Sequence, residues 1–569
     1  MQRVRVSEIV SERAATRQAP APRAPQRFQS SLALLAQSLA PALQPAPSAH
    51  VPLPERPSGY ALYPRSSKPV RQAVAYTDEQ KAIIADRSPI LVANAFAGTG
   101  KTTTAVGYAD ARRDARILYM AFNKGIQTEA QARFGANTKC QTTHSLAFQA
   151  VGKHYADRIS RSWRAMTVGK EAGLGTWRQA AIAHSILNKF FQSTEAEIGL
   201  GHGEAAQAQY ECEEADLIDA WRAARALWVR MQDKADKVSI PDDAYLKMWA
   251  LSRPQLDYDC IIFDEAQDSN PVTAQIIRDQ ARSTLLYIGD RHQSIYGFRG
   301  AVSAMDDFGP RATHLHLSRT WRFGPTTAGY ANLLLGELKG EKVPLVGMGR
   351  DEPYKSGACV TKLSRTNAQL FKDAALVHGH GVHWIGGIEG YQVNRVMDAY
   401  ALYTKARDQI RDPFIRNFAS WGEMRAYTDE TKDSETRILA ELVEEYKHET
   451  PELVREMRAN AVPDARNAQM VLSTAHKSKG LDWDYVQIAD DFEVLEDAEA
   501  SLKDDPTAPL NEQEINLLYV SITRARKSVQ LNAETRAWID DLPRHRKERQ
   551  IALQKYESGA RERGQTSRH

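Results

Sequence analysis

At 569 residues the chain is too long for one hydrophobic core, so several domains are expected. Hydrophobic residues make up 42% and charged residues 25%, the balance expected of a soluble globular protein. A net charge of +3 selects no partner, and the four cysteines (Cys140, Cys212, Cys260, Cys359) form no CxxC pair, which argues against a zinc ribbon and suits a reducing compartment.

Residues 1–72 carry 11 of the 25 prolines and ten basic against three acidic side chains. Such a segment buries too little apolar surface to offset its ordering entropy, so it reads as a disordered Pro/Arg-rich tail. A basic arm on nucleic acid, an organelle transit peptide and a plain solvated tail all remain open for it. Its stretch "SSLALLAQSLAPAL" is too short to span a bilayer, and no other run is long enough, so no membrane is expected. From there on, "PILVAN", "ARILYMAF", "YDCIIFDE", "TLLYIGD" and "THLHLS" read as buried parallel strands, each continuously apolar, with helical sequence between them. That alternation predicts a doubly wound α/β sheet. Residues 151–252 break the rhythm as a helical insertion whose Trp and Leu stripe near 217–231 suits a helix core. A second α/β region starts near 325 and is interrupted by charged helical sequence over 397–465. Residues 536–569 form a second basic tail, a helix fraying into disorder.

The stretch "NAFAGTGKTTTA" follows the first strand. A phosphate-binding loop needs glycines for close backbone approach, a lysine for the β/γ charge and a hydroxyl for Mg2+. Gly98, Gly100, Lys101 and Thr102 supply these, but Ala95 stands where the usual GxxxxGK[ST] pattern begins with glycine. On this stretch alone, a bare glycine turn stays open. "CIIFDEAQD" adds a strand ending in paired carboxylates, Asp264 to hold Mg2+ through water and Glu265 to polarise an attacking water. Together the two segments indicate an NTPase.

Further motifs follow in order: "YTDEQKAII" upstream, then "YIGDRHQSIYGFRGA", "LSRTWRFG", "LSTAHKSKGLDWDYV" and "EINLLYVSITRARK". With these the chain resembles the UvrD/Rep family of superfamily 1 DNA helicases, and within it the F-box DNA helicase branch. The resemblance covers about residues 74–150, 253–395 and 466–530, the motor region only, and no F-box is read in the chain. It implies a P-loop NTPase with two RecA-like parallel-sheet motor domains and helical insertions. The first RecA-like domain would comprise 73–150 and 253–325, with insertion 151–252. The second would comprise 326–396 and 466–535, with a short insertion at 397–465.

The resemblance also implies roles. Ala97, Gly98, Thr99, Gly100, Lys101, Thr102 and Thr103 would cradle ATP, with Thr102 and Asp264 on Mg2+ and Gln80 reading adenine. Gln293 would sense the γ-phosphate, Trp321 stack on adenine, and Arg322 and Arg524 act as arginine fingers. Gly480 and Asp482 would meet the ribose, Asp482 being one methylene shorter than the family's usual Glu. Phe122, Asn123, Thr143, His144, Tyr296, Phe298, Arg299, His476 and Lys477 would grip single-stranded DNA at single-strand/duplex junctions. Taken singly, Phe122 and Phe298 also suit core packing, His144 a satisfied core histidine and each arginine a surface ion pair. The family steps 3′ to 5′ in DNA repair and recombination, in the nucleoid-associated cytoplasm of a bacterium or the nucleus or organelles of a eukaryote. Two rivals stand beside unwinding: a motor that strips proteins from single strands, motivated by the short second insertion, and an ATP-switched nucleic-acid-binding subunit with a protein partner on the tails or that insertion. RNA remains a possible substrate, since nothing in the sequence reads a 2′-hydroxyl.

Overall fold

In this computed structural model the described residues are 75–566, apart from 161, 211–212, 298–299, 307, 376, 378–380, 432 and 493–509. The tail at 1–72 therefore lies outside the described residues. Strands β1 (Ile90–Ala95), β2 (Ile117–Ala121), β3 (Thr138–Thr142), β4 (Cys260–Asp264), β5 (Thr284–Gly289) and β6 (Thr313–Leu317) form one sheet in the order β3-β2-β4-β5-β1-β6. Every pairing in it is parallel. Continuous apolar sequence makes these strands because helices cover both faces of the sheet. The edge strand β3, "TKCQT", has no apolar run and carries no strand signal in the sequence; pairing with β2 decides it. Register sets Asn94 beside Gly289 and Asp264 beside Ile288, so the carboxyl ends of β1, β4 and β5 lie together. Ligands of open parallel sheets bind at such an edge.

A short pair, β7 (Arg319–Thr320) with β8 (Val346–Gly347), leads to the second sheet. That sheet holds β9 (Val360–Ser364), β10 (Val382–Trp384), β11 (Met470–Thr474), β12 (Trp483–Ile488) and β13 (Ala525–Gln530), ordered β10-β11-β9-β12-β13 and again parallel.

Between β3 and β4 the chain forms a helical bundle with its own core, in which Phe190, Leu217, Trp221, Leu227 and Trp228 are buried. The Trp/Leu stripe is thus an internal face. The helices between β10 and β11 do not make a separate core: Met424, Leu442 and Val454 share one cluster with Val382, Trp384 and Leu472 of the sheet. Their first helix is Val393–Tyr403, which crosses the boundary drawn at 396/397 from charge pattern. The two inserted bundles touch. Arg178 donates to both Glu430 oxygens at 2.7 Å, and Trp177 meets Tyr427 edge-on at 5.4 Å. A final helix runs Ala533–Thr566, and its Trp538, Ile539 and Leu542 are buried with the second sheet. The segment from 536, expected as a frayed tail, therefore starts as a core helix, because three apolar side chains are enough to dock it.

Candidate active site and strand cleft

The phosphate loop joins β1 to the helix Lys101–Asp110. Ala95 is the last residue of β1, paired with Leu317, and is not among the residues with positive φ. A strand position tolerates a methyl group, so glycine is not required there. Gly98 and Gly100 do need their freedom, with φ of 73° and 86°. A Cβ on Gly98 would stand 2.5 Å from Thr320 Oγ1 and 2.7 Å from Arg322 Cβ. The loop is thus closed over by the segment leading to the second sheet, which a bare glycine turn does not explain.

A cleft of about 420 Å³ opens there, lined by Gly98, Thr99, Gly100, Lys101, Thr102, Thr103, Asp264, Glu265, Gln293, Arg322, Gly480, Asp482 and Arg524. Ala97 is buried behind it. Gln80, the partner of Thr77 in the capping box of the helix Asp78–Ala85, accepts from Thr77 N at 3.0 Å and places its amide nitrogen 3.5 Å from Thr99 O. Trp321 stands 54% exposed beside Arg322.

Charge is concentrated in this cleft. Lys101 Nζ lies 3.0 Å from Glu265 Oε1. Burial and then the Glu265 charge push the Asp264 carboxyl up, although Lys101 and the Tyr119 hydroxyl bonded to it act the other way. Burial also opposes ionisation of Glu265, but Lys101 and Lys479 outweigh it and hold that carboxyl well below its usual range. Glu265 sits at φ 51°, a left-handed position rare outside glycine and frequent at functional sites. A buried carboxylate resisting ionisation is short of positive charge, and with the Thr102 hydroxyl lining the same cleft it suits Mg2+. Among the described residues no cluster of three or more His, Cys, Asp or Glu could hold a metal by itself. A cation there would share its shell with phosphate oxygens and water.

Arg524 is 1% exposed and donates to Val520 O, Leu481 O and, at 3.5 Å, Gln293 Oε1. Burial, then the like charge of Arg322, lower it to about 9. Arg322 is lowered mainly by burial and donates to Thr523 O at 3.3 Å. Neither guanidinium has an ion pair within 4.0 Å among the described residues, whereas Lys479 of the second sheet's loop pairs with Asp268 and donates to Gln293 O at 2.7 Å. Two buried arginines without an ion pair among the described residues face one cleft with Lys101, an arrangement suited to a polyanion.

A second cleft, of about 920 Å³, is lined by Phe122, His144 and Tyr296. Phe122 is 42% exposed and stacks on Tyr296 with centroids 5.7 Å apart and planes at 16°. His144 Nε2 lies 3.1 Å from Asp243 Oδ1, so it is a partnered histidine at the rim. Thr143 opens the helix Thr143–Ala150 beside it. Asn123 uses its side-chain oxygen to cap the helix Lys124–Arg133. His476 meets Tyr296, whose hydroxyl reaches its carbonyl at 3.4 Å. Lys477 instead turns its ammonium onto Gly390 O at 2.8 Å and the Tyr391 ring at 3.4 Å, so it does not line the cleft. Phe298 and Arg299 lie outside the described residues. The inserted bundles add Trp163, Arg164, Lys189, Arg395 and Phe414 to the walls. No motif marked these, because their place depends on how the bundles dock.

Two parallel sheets, with a phosphate loop on one and arginines from beyond it meeting over that loop, define a P-loop NTPase of the two-sheet motor class. The UvrD/REP helicase N-terminal domain profile matches residues 76–307, and the UvrD-like helicase C-terminal domain profile matches 360–534. The chain belongs to the UvrD-like helicase family. It is similar to F-box DNA helicase 1 of Gallus gallus, 32% identical over 501 residues, covering 80% of this chain and 48% of that protein. Similarity to F-box DNA helicase protein 1 of Schizosaccharomyces pombe is 31% over 509 residues, covering 80% and 57%. Similarity to ATP-dependent DNA helicase UvrD2 of Mycobacterium tuberculosis is 25% over 558 residues, covering 81% and 79%. The chain thus spans about half the length of the two F-box relatives. Among the described residues no helix is long and apolar enough to cross a membrane.

Proposed function

We propose that this chain is an ATP- and Mg2+-dependent translocase and helicase stepping 3′ to 5′ on single-stranded DNA, in DNA repair or recombination. The convergence of Lys101, Arg322 and Arg524 on one cleft beside Glu265 carries this reading; polarity and pathway rest on family likeness. ATP phosphates arriving at the loop replace Glu265 as the partner of Lys101, which leaves Glu265 to polarise the attacking water. Gln293 meets the γ-phosphate, and the two arginines stabilise developing charge as the cleft closes. Gln80 and Trp321 take the adenine, and Asp482 the ribose. Thr102 and Asp264 hold Mg2+, which neutralises phosphate charge. Residues 73–150 with 253–325 and 326–396 with 466–535 are the two moving halves. Phe122 and Tyr296 offer a stacking platform that tolerates any base, as a moving motor needs. The residues Asn123, Thr143, His144, Phe298, Arg299 and His476 complete the grip. Opening and closing then shift the two halves along the strand.

A second reading, protein displacement with little unwinding, is favoured by the second insertion, whose helices share a core with the sheet instead of extending outward. A protein partner on the tails or this insertion would then supply duplex opening, in a nucleoid, nucleus or organelle.

The test is ATP hydrolysis by the wild type and Glu265→Gln, with and without single-stranded DNA and RNA of matched length. Stimulation by DNA that disappears in E265Q is expected. Hydrolysis indifferent to both nucleic acids would overturn the motor reading in favour of an ATP-switched subunit.

A further inference from the structure

Tyr519 belongs to the buried helix Glu512–Ile522, five residues before Arg524, and is itself fully buried. Its hydroxyl crosses from the second sheet's side to the first. Ala97 N donates to it at 3.2 Å, and it donates to Asp290 Oδ2 at 3.0 Å. The same carboxylate oxygen accepts Gln293 Nε2 at 2.7 Å, while Oδ1 accepts His292 N at 3.0 Å. Gln293 Oε1 in turn faces Arg524 Nη2 at 3.5 Å. A closed circuit results: phosphate loop, Tyr519, Asp290, Gln293, Arg524, and back through the turn that follows Tyr519's helix.

Packing alone does not account for this hydroxyl. The ring fills a cluster with Phe96 and Phe323 and meets His292 edge-on at 6.1 Å, contacts that a phenylalanine would keep. A buried hydroxyl costs free energy unless it is bonded, and here both of its bonds go to the other side of the cleft. Ala97 N is the backbone donor directly before Gly98, so Tyr519 fixes the near end of the Gly98–Lys101 loop.

We propose that Tyr519 is a positioning residue coupling the phosphate loop to the γ-phosphate sensor Gln293 and to Arg524. Gln293 and Tyr519 share one oxygen of Asp290, so a phosphate that pulls on Gln293 redistributes that oxygen's hydrogen bonds. The change reaches both the loop and the turn after the helix Glu512–Ile522, where Arg524 sits. Sensor, loop and finger therefore switch together. This rests on the ATP-driven motor reading above.

Asn516, one turn earlier on the same helix, is the control. It donates to Ser294 O at 2.8 Å and accepts from Lys339, docking the helix without touching the loop. The experiment compares full-length wild type, Tyr519→Phe and Asn516→Ala in steady-state ATP hydrolysis at saturating single-stranded DNA. The expected result is a kcat about tenfold lower in Y519F with the KM for ATP within twofold, and both constants within twofold in N516A. Y519F combined with Gln293→Ala is expected to be little worse than the poorer single variant, because both break one circuit. A Y519F kcat within twofold of wild type, or an equal loss in N516A, would overturn the proposal. Failure of the wild type to respond to DNA would instead remove the motor reading beneath it.

Discussion

The nucleotide cleft and the strand cleft lie on two sides of the same short segments and are built in opposite ways. Glu265 and Gln293 face the first, whereas Asp268 and Tyr296, three residues further along each segment, line the second. The smaller cleft holds interlocked buried charges. The larger is walled by aromatic rings and long polar side chains from four parts of the chain. The difference teaches where precision is needed. Phosphate chemistry demands fixed charge positions, while a sliding strand demands sequence-tolerant surfaces that can release. Only three residues separate the two faces along each segment.

The sharpest attempt to break this comparison is Lys101→Ala. Removing this cleft-lining lysine should lower ATP hydrolysis on the order of a thousandfold while strand binding survives. Undiminished hydrolysis would mean the buried charges serve something else. Arg524→Ala should cost roughly a hundredfold or more in kcat, with ATP binding by a fluorescent analogue changed far less. On the other side, Phe122→Ala should weaken single-stranded DNA by about 1–3 kcal/mol, read by anisotropy, with the KM for ATP unmoved. Equal damage to both constants would merge the two clefts into one site.

Smaller effects sharpen the picture of the strand cleft's outer wall. The Arg178–Glu430 contact between the inserted bundles is bidentate but part-exposed, at 42% and 29%. A double-mutant cycle on melting should find coupling of about 0.5 kcal/mol, weakened by salt. His184, at the inner wall, is lowered by burial to about 4, against a smaller opposing pull from Asp433. Its unfolded form binds a proton near pH 6.5 and its folded form only near 4, so stability is full above 6.5 and is lost as pH falls through that window. In His184→Asn the loss in melting temperature between pH 7 and pH 5 should shrink by roughly 2 °C; an unchanged slope would show that His184 titrates normally.

Much of the nucleotide cleft was legible in the sequence. Gly98, Gly100, Lys101 and Thr102 must be contiguous, because a loop of backbone donors is a local device, and Asp264 and Glu265 must end a strand. Arg322, Arg524 and Asp482 were recognisable only through the family pattern, yet they arrive in the same cleft. The strand cleft was half legible: Phe122, His144 and Tyr296 line it, but Lys477 turns away and Asn123 caps a helix. The fold followed the same division. Continuous apolar runs announced the central strands, while β3, with its polar composition, depended on its neighbour.

By itself, the sequence determined the class of chemistry and the parallel α/β architecture, because backbone conformation, apolar runs and loop donors act over a few residues. Tertiary structure alone decided that the second insertion shares the sheet's core, that the last helix begins as core, and that Arg164 and Phe414 wall the strand cleft. It also decided that Tyr519 bonds Ala97 across 422 residues of chain. No local signal encodes such contacts; they exist only once separate hydrophobic faces have been buried against one another and have carried their polar groups into reach.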